Sequence, residues 1–529
     1  MNDVGNFPHE LLTKIFARLN NIDLVNCLYV NRNWSYVVCA YFLYRNLRLA
    51  NTGSLNMCLD MLDQKAITNR TNRQFGPFLN SDYGSFVKSV DLSYDGSTMV
   101  LDKHNLKRLA NHCHNLEVLK VRNSHDVRDD WIMEILDKCP YITHLNLSGC
   151  GFVTSRILEH PKYANIRLNL QSLNTIFCYQ FLGRQSNMIL PSLTDLRLQV
   201  MNQAGFEAVR KLVQSCSKTL KSLAILWRYR RDIESISIST NIDDILRETT
   251  DLQKLWLDCQ TGEKVEIRQF PKTLTELHLY CLCSSQTVEA MQDLGSLKRL
   301  FVNYTFISQA SLQNILQKNG NGLEALGYNE GSGRPLTRSC LLPCVHLRSL
   351  QTHLGMNLEL AKVLVELYRG SLEHLTNKWE GHTYLPSAFK PINGLWELLT
   401  QEPWTKIKSL DIVNAVATRE ILPYLPKAFP NVEYLGFIVS LEEDLSSEEW
   451  ISYFSQFPYL KGIGLRQDLR LPFLVSDFWT GAYLRRYQSA YQDWSMNEQC
   501  SRNEINPIRN PFDTWPQTMV LHDMASRNR

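Results

Sequence analysis

The sequence has little of several features that would assign it quickly to a class of protein. Cysteine accounts for 14 of the 529 residues, too few for a small disulfide-dense scaffold. Glycine accounts for 24 residues, which excludes a collagen-like or glycine-rich chain. The net charge is only +3 and no run of five like charges occurs, so no large field attracts nucleic acid. No stretch of 18 apolar residues occurs, so we expect no membrane-spanning segment.

The N-terminal residues 1–6 have neither the basic nor the apolar segment of a signal peptide. We therefore expect an intracellular protein with reduced thiols, located in the cytoplasm, the nucleus or both.

Leucine, by contrast, is in excess, at 78 residues or about 15% of the chain. Many of these leucines belong to a recurring pattern, apolar-x-x-apolar-x-apolar, with a mean spacing of about 27 residues. This spacing lies in the range of roughly 20–29 residues that is typical of leucine-rich repeats. Fourteen of the 15 units start at Val87, Leu116, Ile142, Leu193, Leu220, Leu252, Leu274, Leu297, Leu323, Leu347, Leu372, Ile407, Val432 and Leu460, and a weaker copy lies near Leu168 and Leu170.

The spacing within each unit predicts a short strand followed by a crossover. The last two apolar positions alternate as on a strand and point to one face, so parallel stacking buries them as one leucine column. Helical spacing at residues 131–138 and 206–213 predicts helices in the crossovers. Cys150 follows a strand at a tight turn, where we expect a small buried packing residue.

Two segments depart from the regular repeat. The longest unit runs from Leu372 to Ile407, and residues 376–406 are its predicted insertion. Residues 473–515 are rich in aromatic side chains, as expected of a cap over the open end of a repeat array. The alternative is a tail that runs back along the concave face.

Residues 1–49 lack the repeat and predict three short helices. Pro8 suits a first helical turn, and Asp23 can cap a second helix. A third helix would bring Trp34, Val37 and Tyr41 together. So small a core leaves apolar surface for a partner. The stripe of the first helix comprises Leu11, Leu12, Ile15, Phe16 and Leu19.

This segment resembles the F-box, and the whole chain resembles an F-box protein with leucine-rich repeats. The family pattern usually opens with Leu-Pro where this chain has Phe7-Pro8, and it often has Cys or Ser at the position of Asn31. The matching positions are Pro8, Glu10, Leu11, Leu12, Ile15, Phe16, Leu19, Asp23, Leu24, Cys27, Val30, Arg32, Trp34 and Leu47.

In that family the F-box binds the Skp-type adaptor of an SCF-type cullin-RING ubiquitin ligase, and the repeats hold a substrate for ubiquitination and proteasomal degradation. The resemblance implies a non-catalytic subunit without cofactor or metal, which acts by raising effective concentration. The implied partners are the adaptor, through it a cullin and a RING subunit, and an unknown protein substrate. Carried over by position, the predicted adaptor-binding residues are Pro8, Leu11, Leu12, Ile15, Phe16, Leu24, Val30 and Trp34.

The residues between the core positions of each strand face the concave side, where a substrate would bind. In three consecutive units these positions hold Trp256, His278 and Phe301, which form a row here called the aromatic ladder, and Arg299 lies beside it. Aromatic residues and arginine are the composition of a binding hot spot. The alternative is that these side chains cover one another or are covered by the tail. The predicted substrate-binding residues are Trp256, His278, Tyr280, Arg299 and Phe301.

Other functions have weaker support. A repeat scaffold or inhibitor without a ligase role would lack the N-terminal pattern. Residues 112–114 and the pair Cys281 and Cys283 lack the paired spacing of a zinc site. Three arginines within residues 228–231 form no wider basic face, and we expect no binding of nucleic acid.

The predicted fold class is therefore α/β. A three-helix F-box (1–49) is followed by a helical and polar linker (50–85) and a leucine-rich-repeat solenoid (86–475). The solenoid is expected to be a horseshoe of about 15 irregular units, with parallel strands on its concave face. An aromatic-rich cap or tail (476–529) ends the chain.

Overall fold

The computed structural model divides the chain into two units, Met1–Thr261 and Gly262–Arg529. The predicted tail (476–529), the arginine group (228–231) and residues 379–392 of the predicted insertion lie outside the described residues. The structure describes residues 7–19, 21–49, 52–63, 83–92, 101–182, 188–227, 238–259, 264–303, 307–329, 336–353, 356–378, 393–439, 447–460 and 462–467.

Helices and strands alternate through the described part of the first unit. Helix α3 continues into a short π-helix, Cys39–Leu43. The helices are α1 His9–Phe16, α2 Asn21–Cys27, α3 Arg32–Val38, α4 Thr52–Asp63, α5 Tyr83–Phe86, α6 Lys103–His112, α7 Asp129–Lys138, α8 Arg156–Glu159, α9 Ala164–Asn169, α10 Gln203–Cys216 and α11 Ile238–Glu248. The strands are β1 Asn46–Arg48, β2 Ser89–Asp91, β3 Val118–Lys120, β4 His144–Asn146, β5 Ser172–Asn174, β6 Asp195–Val200, β7 Ser222–Trp227 and β8 Lys254–Cys259.

The second unit repeats the alternation. Its strands are β9 Lys264–Val265, β10 Glu276–Tyr280, β11 Leu282–Cys283, β12 Arg299–Asn303, β13 Ala325–Asn329, β14 Ser349–His353, β15 His374–Lys378, β16 Ser409–Ala417, β17 Tyr434–Val439 and β18 Gly462–Gln467. Its helices are α12 Ser285–Met291, α13 Gln309–Asn319, α14 Arg338–Leu341, α15 Leu358–Tyr368, α16 Leu395–Leu399, α17 Leu425–Ala428 and α18 Ser447–Phe454.

Parallel pairing in chain order confirms the predicted α/β class. In the first unit, each strand from β1 to β7 pairs in parallel with the strand that follows it. In the second unit, β10 pairs with β12, and each later strand through β18 pairs with the next. The short strands β9 and β11 form a separate parallel pair. The predicted helices at 131–138 and 206–213 are confirmed as parts of α7 and α10.

A column of apolar side chains sets the register of the strands. The middle apolar residue of each unit pairs with its equivalent on the next strand, and these side chains are almost completely buried from Val90 onward in the first unit. The column of the first unit is Leu47, Val90, Leu119, Leu145, Leu173, Leu196, Leu223 and Leu255. That of the second is Leu277, Leu300, Leu326, Leu350, Leu375, Leu410 and Leu435.

Two details differ from the predicted repeat boundaries. Strand β1 lies within the segment assigned to the F-box, so the parallel sheet begins at Asn46 and not near residue 86. Of the two leucines near which the weak unit was predicted, Leu170 is buried and belongs to the core, whereas Leu168 on α9 is 54% exposed.

Left-handed residues end three consecutive strand segments of the first unit. Asn123, Gly149 and Phe177 each lie four residues after a leucine of the column, and each has a φ between 58° and 81°. The N–H of Asn123 donates to the Ser148 carbonyl, and that of Gly149 donates to the Ile176 carbonyl, both at 2.8 Å. The stacked turns therefore hold one another through lateral hydrogen bonds.

The third turn has a different acceptor. The buried N–H of Phe177 donates to Oε1 of the Gln199 side chain at 2.9 Å. Gln199 is itself buried, and its Nε2 donates to the Met201 sulfur. A side chain thus replaces the backbone carbonyl that accepts in the two preceding turns.

The buried cysteines are structural. Cys150 is fully buried and its S–H donates to the Val121 carbonyl, as the packing role predicts. Cys178 donates in the same way to the Leu147 carbonyl. Burial raises the pKa of the Cys150 thiol to about 12, so this thiol stays protonated and unreactive at neutral pH.

The Gln199 hydrogen bond can be tested by substitution. We expect Gln199→Leu to lower the free energy of unfolding by about 1–3 kcal/mol, because it leaves the buried Phe177 N–H without an acceptor. Gln171→Leu, at an exposed position of the same unit, is the control and should change stability by less than about 0.5 kcal/mol. The measurement is urea unfolding followed by circular dichroism. Equal effects of the two substitutions would contradict the assigned role.

Candidate functional site

The N-terminal helices pack around a small core of their own. Helix α1 begins after Pro8, whose carbonyl accepts from the N–H groups of Leu11 and Leu12. Helix α3 begins after Asn31, whose side chain accepts from the Trp34 N–H at 2.8 Å. Asn31, a departure from the F-box pattern, therefore acts as the N-cap. The buried core consists of Leu12, Phe16, Leu24, Cys27, Val37 and Val38.

Aromatic contacts fix the orientation of α1 on α3. The Trp34 ring meets the Phe16 ring edge to face at 5.1 Å between centroids, and Phe42 meets Phe16 at 6.2 Å. Trp34 is therefore partly buried against the core. Asp23 lies in the first turn of α2 and not at its cap, so the predicted capping role is wrong.

Seven of the eight predicted adaptor-binding residues divide into a buried and an exposed set, and the eighth, Trp34, is partly buried. Leu12, Phe16 and Leu24 are at most 4% exposed, and their side chains stabilise the helical core. Leu11, Ile15 and Val30 are 43%, 42% and 55% exposed. The two residues on α1 are four positions apart and share one face of the helix. The exposed side chains, with exposed Pro8, are the ones that a partner could contact without opening the core.

The segment predicted as a linker is anchored to the first crossover helix. Arg108 of α6 forms ion pairs with Asp60 and Asp63 of α4, and His112 bonds to Asp63 at 2.6 Å. Burial alone would raise the pKa of Asp63, but hydrogen bonds from His112 and Arg108 lower it. His112, considered above for a metal site, is used in this network, and the described residues contain no group of three or more metal-ligating side chains.

The predicted aromatic ladder is more buried than expected. Trp256 lies on β8 of the first unit and is 9% exposed. On the second unit, His278 and Phe301 are each 2% exposed and Tyr280 is 9% exposed. The expectation of an exposed aromatic face is therefore wrong for the described chain, whereas Arg299 remains partly exposed.

Side chains on β10, β12 and β13 cover one another. The His278 and Phe301 rings stack at 4.5 Å between centroids and 9° between planes. His278 Nε2 donates to Glu276 Oε1 at 2.8 Å, and Arg299 lies 3.4 Å from the other oxygen of this carboxylate. Phe301 pairs in register with Gly327, where a Cβ atom would overlap its ring. The ring thus rests on the backbone of the next strand.

A polar row that the sequence analysis did not single out lies on the first unit. Register pairing aligns Lys120, Asn146, Asn174 and Arg197 across β3, β4, β5 and β6. All four alternate with the buried leucine column and are at least partly exposed. The sequence contained the signal for this row. Its four residues follow a leucine of the apolar column directly, as Trp256, His278 and Phe301 do in later repeats.

None of the helices in the described part of the chain has the length and apolar character needed to cross a membrane.

The Phe301 stack gives a stability prediction. We expect Gly327→Ala to cost about 1–3 kcal/mol by forcing the Phe301 ring out of place, and much less in a Phe301→Ala background. Thermal and urea unfolding of the four proteins in this cycle measure the coupling. Gly295→Ala is the matched control, since a Cβ there has no atom within 4 Å. Additive effects of the two substitutions would show that the ring does not rest on Gly327.

Comparison with known proteins assigns the helical domain. Among solved structures, the crystal structure of the Rad7 and Elc1 complex in yeast contains a chain 15% identical to this one. The match covers 69% of this chain and 83% of that chain, with a TM-score of 0.39, which is too low to support a functional assignment. A family model described as F-box-like matches residues 4–50, the range that contains α1, α2, α3 and β1. The N-terminal helices therefore belong to an F-box-like domain.

Proposed function

We propose that this chain is the substrate-recognition subunit of an SCF-type ubiquitin ligase. The F-box-like domain binds a Skp-type adaptor, and through it a cullin and a RING subunit, while the repeats bind a protein substrate for ubiquitination and degradation. The observation that carries the proposal is the F-box-like match at residues 4–50. It is supported by the exposed apolar side chains on α1, beside a core that is already complete without them.

The proposal includes a leucine-rich-repeat solenoid after the F-box-like domain. Its support is the pairing of strands in chain order and the buried apolar column within each unit. We propose that the repeats extend to about residue 475 in a horseshoe and that residues 476–529 form a cap or tail. The chain then does no bond chemistry, and its action is to raise the concentration of substrate near the ubiquitin-loaded enzyme. We propose an intracellular location, in the cytoplasm, the nucleus or both.

A repeat scaffold without a ligase role is the second candidate. The repeats alone would suit it equally well, since repeat surfaces bind many kinds of partner. The F-box-like domain favours the assignment as a ligase subunit, because a scaffold without a ligase role does not require an adaptor-binding domain.

Substitution of the exposed apolar pair on α1 tests the ligase assignment. We expect Leu11→Ala with Ile15→Ala to reduce co-purification of a Skp-type adaptor at least about tenfold, because truncation of two interface side chains removes well over 1.4 kcal/mol of binding. The melting temperature should stay within about 2 °C of the parent, since both residues are over 40% exposed.

Two further variants make the result interpretable. Leu342→Ala with Val345→Ala removes two equally exposed aliphatic side chains from the second unit and should leave adaptor binding unchanged. Leu12→Ala, in the buried core, should lower stability by about 2–5 kcal/mol and reduce adaptor binding through unfolding. These substitutions are preferable to deleting residues 1–49, which would also remove β1 and expose the edge of β2. Undiminished adaptor binding by the α1 variant would overturn the ligase assignment.

A further inference from the structure

The row of Lys120, Asn146, Asn174 and Arg197, here called the donor row, presents hydrogen-bond donors on four adjacent strands. Lys120 and Arg197 can only donate. The two asparagines could in principle present either an oxygen or an amide nitrogen. Their hydrogen bonds to the backbone decide which group is left for a ligand.

Both asparagine oxygens are already used within the chain. The Ser148 N–H donates to Asn146 Oδ1 at 3.1 Å, and the Ile176 N–H donates to Asn174 Oδ1 at 3.2 Å. Each asparagine thus closes a local turn through its oxygen. In the described part of the chain, no acceptor is assigned to either Nδ2 group. Both side chains are partly exposed, so two NH₂ groups remain for a partner.

Two aspartates lie at the ends of the donor row and none lies between. Asp91 is buried on β2, with its carboxylate 3.9 Å from Lys120 Nζ. Asp195 accepts from Ser172 Oγ at 3.0 Å and from Arg197 Nε at 3.3 Å. From Lys120 to Arg197 the row therefore contains two cations and two amides, and no carboxylate.

We propose that the donor row binds an acidic segment of the protein substrate, with Asp or Glu carboxylates accepting from its four side chains. The inference rests on the proposed function and names the class of substrate. Neighbouring strands lie about 4.8 Å apart, so the row spans about 14 Å. An extended segment of about four residues covers that length. Charge-assisted hydrogen bonds from lysine and arginine at the two ends are the strongest contacts of the set.

Conversion of the asparagines to aspartates tests the proposal without removing the turns. In Asn146→Asp with Asn174→Asp, one carboxylate oxygen can still accept from the backbone N–H, while the outward group changes from a neutral donor to a charged acceptor. The control, Asn111→Asp with Asn165→Asp, adds the same charge at exposed positions on α6 and α9. Thermal unfolding verifies that each protein is folded.

The probe is a fluorescein-labelled peptide of six glutamates, titrated with the purified full-length chain at low and at physiological salt. We expect binding that weakens with salt and that the Asn146→Asp/Asn174→Asp protein loses at least about tenfold. The control variant should stay within about twofold, and a peptide of six glutamines should bind at least about tenfold more weakly than the glutamate peptide. Lys120→Gln with Arg197→Gln, a second variant, should reduce both affinity and its salt dependence.

Three outcomes would overturn the inference. They are no binding of the glutamate peptide by the parent chain, equal affinity of the glutamine peptide, and an unchanged affinity in the folded Asn146→Asp/Asn174→Asp protein. Tighter binding of a six-nucleotide oligothymidylate, lost in the same variant, would also overturn it by assigning the row to nucleic acid. The assay needs no adaptor. A chain that binds adaptor but not peptide thus refutes only this inference, and the reverse result refutes only the ligase assignment.

Discussion

The apolar column that pairs in register across each unit is the contact on which the rest of the structure depends. A fully buried leucine stabilises the fold by about 1.5–3 kcal/mol, and each strand from β3 to β8 contributes one such residue to the column of the first unit. Because side chains alternate along a strand, this column also determines which residues face the other way. A one-residue slip would bury Lys120 and Asn146 and expose Leu119 and Leu145. The burial of one face of each strand thus determines which residues the strand presents on its other face.

That outward face differs between the two units for a local reason. On β12 the outward residue is a large ring, and its register partner on β13 is Gly327, so the ring lies flat on the neighbouring strand. On β3 to β6 the outward residues are polar and none of them pairs in register with a glycine: Lys120 pairs with Asp91, the two asparagines pair with each other, and Arg197 pairs with Ala224. All four remain at least partly exposed. Whether Phe301 is exposed or buried therefore depends on Gly327, a residue of the neighbouring strand.

This dependence explains how much could be predicted from the sequence. The period-two pattern predicted the strands and their order, because each strand needs only its own residues to define its buried face. Strand β1 was missed because Leu47 already matched the F-box pattern, and a three-residue strand has no further signal. The burial of His278 and Phe301 could not be predicted from either unit alone, because the two rings stack on each other between β10 and β12 and Phe301 packs against Gly327 of β13. The positions of the donor row could be predicted from the sequence. The orientation of its two asparagine amides could not, because it is set by the hydrogen bonds from the Ser148 and Ile176 N–H groups.

Helix α1 of the F-box-like domain also has one set of apolar residues buried in the core and another set exposed to solvent. The sequence shows α1 as an apolar stripe, in which adjacent pairs, Leu11 with Leu12 and Ile15 with Phe16, look equivalent. Packing against α3 rotates the helix so that Leu12 and Phe16 meet Trp34, Val37 and Val38. The remaining member of each pair, Leu11 and Ile15, then points away from the core and stays over 40% exposed. A helix that completes its core with one half of an apolar stripe leaves the other half at the surface, and this is the surface proposed to bind the adaptor.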